Sequence, residues 1–199
     1  MQEENDDSPK RRSNTQRTEE MRARLMTAAR EIFVENGYAG ASTPDIVKRA
    51  EVTRGALYHH FADKAALFRA VVEAETNALG DDINKRTSQI TSQDAALEEG
   101  TRAYFASMNA PGRCQLLLVD GPAVLGPSEM SVLHEAGGRS SLLDGIRRAR
   151  PDLPFEEANA LAVALSAAYD RAAFAISEGA QEEPYVRALT ALVLTAMTA

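Results

Sequence analysis

Between residues 42 and 64 the chain collects hydroxyl, cationic and imidazole side chains around the starts of short helical stretches. They are Ser42, Thr43, Thr53, Arg54, Tyr58, His59 and Lys64, with Gly55 among them. Such groups hydrogen-bond phosphate oxygens or base edges, and a helix start adds free backbone amides suited to an anion. A catalyst is harder to assemble. The chain has three histidines (His59, His60, His134) and one cysteine, Cys114, with no nucleophile elbow and no phosphate-binding glycine loop. His59 and His60 are adjacent, so on a helix they diverge by about 100°, and no third ligand lies nearby. No enzymatic activity, no cofactor and no metal are expected. Cys114 follows a lone Arg113 in an apolar run and reads as an inert thiol rather than a redox sensor.

The elements that must position these groups are punctuated clearly. Leu25, Ala28, Ala29, Ile32 and Phe33 fall at helical spacing from about Glu19, and Asn36-Gly37 ends that helix. Ser42-Thr43-Pro44-Asp45 reads as a capping box, with Asp45 reaching back to a free amide and Ile46, Val47 and Ala50 as the buried stripe. Only Glu51-Val52-Thr53 separates this short helix from another, Arg54 to His60, which Thr53 can cap while Ala56, Leu57 and Phe61 face inward. Asp63 starts a longer helix carrying Leu67, Phe68, Val71 and Val72. A short helix, a tight turn and a second helix can place a recognition helix in a major groove. The same spacing also describes an ordinary helical hairpin.

The residues themselves separate the two. The run Thr53-Arg54-Gly55-Ala56-Leu57-Tyr58-His59-His60-Phe61, then Asp63-Lys64-Ala65-Ala66-Leu67, closely resembles the signature of the TetR family, as do Gly37-Tyr38 ahead of Ser42 and the pair Asp45-Ile46. The resemblance covers about residues 20–72. It implies a ligand-responsive repressor that binds operator DNA as a homodimer, with Ser42 and Thr43 on phosphate at the start of the second helix. Tyr58 and His59 would contact phosphate from the recognition helix, and Lys64 from the next helix start. Thr53, Arg54 and Gly55 lie where bases are read, Arg54 matching the O6/N7 edge of guanine and Gly55 letting the backbone approach closely. Glu51 departs from the pattern, standing in the turn where the family often has glycine.

The net charge of −7 hides an asymmetry that fits this division. Residues 8–70 carry +5, residues 71–199 carry −8 and residues 1–7 carry −4. A basic N-terminal third on an acidic body suits a small DNA-binding module joined to something else. Residues 1–18 read as a flexible basic arm (Lys10, Arg11, Arg12, Arg17), residues 19–66 as the helix-turn-helix domain, and residues 67–199 as a ligand-binding and dimerisation domain. No alternating strand is found, so the fold class is all-α. No apolar run approaches the roughly 20 residues of a membrane span, the N-terminus lacks a signal peptide's apolar core, and a cytoplasmic protein is expected.

In the body, Asp120-Gly121-Pro122 reads as a helix break, and Gly137-Gly138 loosens a helix that starts near Pro127 and stops before Pro151. The resemblance implies that two long terminal helices pair with their copies in a second subunit as a four-helix bundle, a role that the alanine-rich segments near 155–178 and 184–198 fit, although both could also pack within one subunit. Tyr104, Phe105, Met108, Leu116, Met130, His134, Tyr169 and Phe174, with Leu118, are candidates to line a pocket for a largely apolar or aromatic small-molecule effector. A ligand-independent DNA-binding regulator and an activator are the competing readings.

Overall fold

A computed structural model describes residues 14–136 and 138–198, so Lys10, Arg11 and Arg12 of the basic arm lie outside the described residues. Among those described there is no strand, and eleven α-helices are joined by short turns. Helix α1 (Asn14–Gly40) starts five residues earlier than its apolar periodicity, so Arg17 stands exposed on a helix rather than in an arm. It breaks at Gly37, whose backbone (φ 65, ψ 170) leaves the helical region where the sequence placed the stop.

Helices α2 (Thr43–Arg49) and α3 (Arg54–His60) pack on α1, and their caps form as the sequence requires. The Ser42 hydroxyl accepts from the Asp45 amide at 3.2 Å, and Thr53 Oγ1 accepts from the Ala56 amide at 3.1 Å. The box at Ser42 differs in one detail. The Asp45 carboxylate accepts from the Ser42 hydroxyl at 2.5 Å instead of reaching the cap amide. Leu25, Phe33, Ile46, Leu57, Leu67 and Phe68 close the small core beneath these helices.

The turn between α2 and α3 is a Schellman motif. The Val52 amide donates to Val47 O at 3.0 Å and the Glu51 amide to Lys48 O at 3.2 Å, which requires a left-handed residue between them. Glu51 occupies that position at φ 53, the one non-glycine residue with positive φ among those described.

Helix α4 (Lys64–Thr87), capped by Asp63, runs through the expected boundary at 66/67 without interruption. Its first turns bury Leu67 and Phe68 against α1, and its later turns bury Thr76 and Leu79 in the body. Around it lie α5 (Gln93–Met108), α6 (Arg113–Gln115), α7 (Gly121–Leu125), α8 (Pro127–Ala136), α9 (Gly138–Ala149), α10 (Phe155–Ser177) and α11 (Glu182–Thr198). The segment from Pro127 thus forms two helices, meeting where the paired glycines stand.

Two expectations need correction. Asp120-Gly121-Pro122 does not break the chain's helical path. Leu116–Asp120 forms a π-helical turn that runs straight into α7. Pro122 has no amide to give the carbonyl four residues back, and the register widens so that the Gly121 amide reaches Leu116 O. Second, α10 is long and apolar enough to cross a membrane, with a mean hydropathy of 1.3 over its best window. Alanine supplies much of that hydropathy, with polar residues such as Asn159, Ser166, Asp170 and Arg171 interrupting the run.

Candidate nucleic-acid interface and ligand cavity

The helix-turn-helix brings most of its chemistry-bearing side chains to one surface. Thr53, Arg54, Gly55, Tyr58 and His59 are exposed on and beside α3, and Ser42 and Thr43 are half-buried at the start of α2. The Tyr58 phenol lies beside Arg54 and Thr43, which hold it below the usual tyrosine range. The Arg54 guanidinium lies 5.5 Å from the centre of the Tyr58 ring, so its fork is partly pre-positioned. At Gly55 an added Cβ would meet nothing nearer than Thr53 Oγ1 at 3.9 Å, so nothing within the chain requires glycine there.

Lys64 has an internal task that the sequence did not reveal. Its Nζ donates to Tyr38 O at 2.9 Å and Ala41 O at 3.0 Å, and sits 4.2 Å from the Tyr38 ring centre. It therefore holds the corner between α1 and α2 and keeps one ammonium proton for an outside acceptor. His60 packs between His59 and Phe61, and burial pushes its imidazole below the usual histidine range.

The second feature is a cavity of about 400 Å³ in the body. Its walls come from α4 (Thr76, Leu79, Ile83), α5 (Leu97, Thr101, Tyr104, Met108), the π-helical turn (Leu117, Leu118), and α8 to α11 (His134, Arg139, Tyr169, Asp170, Met197). Of the expected pocket residues, Tyr104, Met108, His134, Tyr169 and Leu118 line it. Phe105, Leu116, Met130 and Phe174 do not. Phe105 follows Tyr104 by one residue, about 100° around the helix, and is buried behind the wall against Tyr104 and Tyr169. Leu116 is fully buried, Met130 packs over Gly121, and the Phe174 ring lies under Arg171.

The polar partners Thr101 and Asp170 of this cavity escaped sequence reasoning. The Tyr104 hydroxyl donates to Asp170 Oδ1 at 2.7 Å, and Thr101 Oγ1 and the Tyr169 hydroxyl are 2.7 Å apart. Burial raises the Asp170 carboxyl above its ordinary range, with Tyr104, His134 and Arg139 opposing that rise. Burial pushes the Tyr104 phenol well up, as does the neighbouring Asp170 charge, while the His134 imidazole is pushed down by burial. The signal for Asp170 was present: it is the single acid between Ala158 and Ser177 in an otherwise apolar helix.

Two buried connections join the helix-turn-helix to the cavity walls. Glu75 of α4 accepts from Arg30 Nε of α1 at 2.6 Å and from Arg113 Nε at 2.8 Å. Arg113 also contacts Asp82 at 3.2 Å and bonds the Ser107 hydroxyl, while Arg30 reaches Pro111 O at 2.9 Å. Burial alone would push the Glu75 carboxyl up, but the Arg30 and Arg113 hydrogen bonds outweigh it and hold it below the usual range. Beside this network, the Tyr38 amide donates to Asp120 Oδ2 at 3.3 Å, tying the end of α1 to the turn that carries Leu117 and Leu118. Gly112 (φ 77) lies so close to α1 that a Cβ there would collide with Val34.

An all-α chain with a capped helix-turn-helix at one end and a walled cavity at the other defines the class, and comparison with known proteins shows what it is similar to. Residues 25–71 match the family described as bacterial regulatory proteins, tetR family. The transcriptional activator FasR of Mycolicibacterium smegmatis is 29% identical over 129 residues, covering 63% of this chain and 59% of FasR. The regulator UidR of Escherichia coli is 49% identical over 51 residues, 26% of each chain. The chain thus spans less than two thirds of these relatives' lengths. A TetR-family regulator from Pectobacterium atrosepticum, 28% identical, superposes over 92% of this chain and 95% of its own with a TM-score of 0.65. Residues 25–71 thus carry the DNA-binding segment of the tetR family, and the fold of the chain is similar to that of TetR-family transcriptional regulators.

Proposed function

We propose that the protein is a cytoplasmic homodimeric repressor, released from its operator when a small, largely apolar or aromatic effector fills the cavity. The observation that carries this reading is that α4 belongs to both halves. Its start packs in the helix-turn-helix and its later turns wall the cavity, with Glu75 tied to α1 between them. A ligand shifts such an equilibrium only by its differential affinity for the two arrangements. A wall that is also the spacer of the DNA-binding unit supplies that difference directly. The dimer reading is supported by an exposed apolar stripe, Val163, Ala164 and Ala167 on α10 beside Ala188 and Leu192 on α11, opposite the face of α10 that the core buries. FasR is named an activator, and the same geometry serves either sign, since the sign depends on where the operator lies relative to the promoter.

The DNA next to the protein's own gene, searched for an inverted repeat, provides the assay. Arg54→Ala should weaken binding to that site by about 1–3 kcal/mol and relax preference at one base pair per half-site. Tyr58→Phe should weaken cognate and random DNA alike. Lys64→Ala is unsuited to this comparison because it also releases Tyr38 O and Ala41 O. If Arg54→Ala discriminates between sequences as the wild type does, the base-reading assignment is wrong.

A further inference from the structure

The effector's chemical class can be narrowed by the charges around the cavity, given the reading that the cavity is the effector site. Asp170 has no ion-pair partner among the described residues. Tyr104 satisfies only Oδ1. Arg139, which shares the cavity wall, is committed elsewhere: its Nη2 donates to Glu135 at 2.7 Å and to Ser131 O at 3.0 Å. His134 is pushed towards its neutral form by burial. This end of the cavity therefore presents one carboxylate that makes no ion pair, with Arg139 near but bonded elsewhere, beside the rings of Tyr104 and Tyr169, which meet edge to face at 5.3 Å. Leu79, Ile83, Leu97, Leu117 and Leu118 supply apolar wall, while Asn84, Thr87, Gln93 and Arg148, whose Nε donates to Asp144 O at 3.1 Å, add polar groups elsewhere in the lining.

An unpaired carboxylate in such surroundings is costly, and a ligand bringing its own cation offsets that cost while an anionic ligand adds to it. The adjacent aromatic rings favour the same sign through their negative faces. We infer that the cavity takes an apolar or aromatic amine, its protonated nitrogen on Asp170 between Tyr104 and Tyr169 and its apolar body against Leu79, Ile83, Leu117 and Leu118. This refines the expectation of a merely apolar effector by assigning it a charge and a polarity of insertion.

The test uses three probes of one shape and different charge: 2-(1-naphthyl)ethylamine, 2-(1-naphthyl)ethanol and 1-naphthylacetate. Each is titrated into the full-length protein near neutral pH by calorimetry, with naphthalene fluorescence as a second readout. The amine should bind at least tenfold tighter than the alcohol, and the acetate weakest. In Asp170→Asn the amine should lose that advantage over the alcohol. In Tyr104→Phe, which frees Asp170 Oδ1, the advantage should persist, so the claim stays testable should Asp170→Asn fail to fold. Equal binding of all three probes, or an amine preference that survives Asp170→Asn, overturns the charge assignment and leaves the cavity as an effector site. Tightest binding of the acetate overturns it in favour of Arg139. Failure of all three to bind at millimolar concentration overturns both the assignment and the reading of this cavity as a site for aromatic effectors.

Discussion

Glu51 sits at φ 53 because the Schellman geometry of the α2–α3 turn demands a left-handed residue there. For an L-residue with a Cβ that conformation costs roughly 1–2 kcal/mol, whereas glycine adopts it freely. Replacing Glu51 by glycine returns part of that gain through the greater entropy of the unfolded chain, about 0.4–1 kcal/mol. Little else is lost. The Glu51 carboxylate lies 3.7 Å from Arg24 and its side chain is 85% exposed, a setting in which an ion pair contributes next to nothing. Arg24 keeps its stronger bond, 2.6 Å to Ala50 O, which needs no side chain at position 51. The net expectation for Glu51→Gly is a gain of about 0.5–1 kcal/mol, or on the order of 1–4 °C in Tm for a chain of this length. Glu51→Ala, which keeps the Cβ, should gain nothing. Thermal and urea unfolding of the two variants beside wild type, followed by circular dichroism, make the comparison. A Glu51→Gly protein no more stable than wild type, or a Glu51→Ala protein stabilised equally, would refute the attribution of strain to this turn.

Two further substitutions probe function and coupling. Gly55→Ala meets only an ordinary contact with Thr53 Oγ1 at 3.9 Å, so it should raise stability by about 0.5 kcal/mol through helix propensity while weakening DNA binding; unchanged affinity in a gel-shift or anisotropy assay would show that no backbone approaches DNA at Gly55. Glu75→Gln leaves Arg30 and Arg113 without their shared carboxylate and should cost about 3 kcal/mol, the low end for a broken buried pair because Arg113 keeps Asp82. Since the folded Glu75 carboxyl lies below its ordinary range, its stabilisation is complete above that range and is lost as pH falls through the folded value. Urea midpoints between pH 3 and 6 should therefore fall with acid less steeply in Glu75→Gln than in wild type, and parallel curves would remove Glu75 from the account.

What the sequence made legible was local. Caps at Ser42, Thr53 and Asp63 are written within three residues of the amides they satisfy, and the glycine at 37 marks its own break. Apolar spacing then placed Leu25, Phe33, Leu57 and Phe68 in one core. The cavity depended on information of longer range. Tyr104 and Phe105 are equally apolar neighbours, and only the packing of α5 on α10 decides which one faces inward. Asp170 and Glu75 read as solvated charges until partners 66 and 45 residues away are folded against them. Lys64 shows the converse case, in which a residue assigned to an outside partner is also needed by two carbonyls of its own chain. The π-helical turn arises from a proline four residues after a run of leucines, a pattern that reads as a simple break until the register is seen.

The account stands most directly on sequence-specific DNA binding by a two-fold assembly, and selection of bound DNA from a random pool measures it. Successive rounds with the full-length protein should enrich an inverted repeat whose half-sites are centred about 10 base pairs apart, or a multiple of that, as paired recognition helices require. A pool that stays random after repeated selection, or one that converges on a single half-site with no symmetric partner, would contradict the reading of Thr53 to His60 as the recognition helix of a dimer.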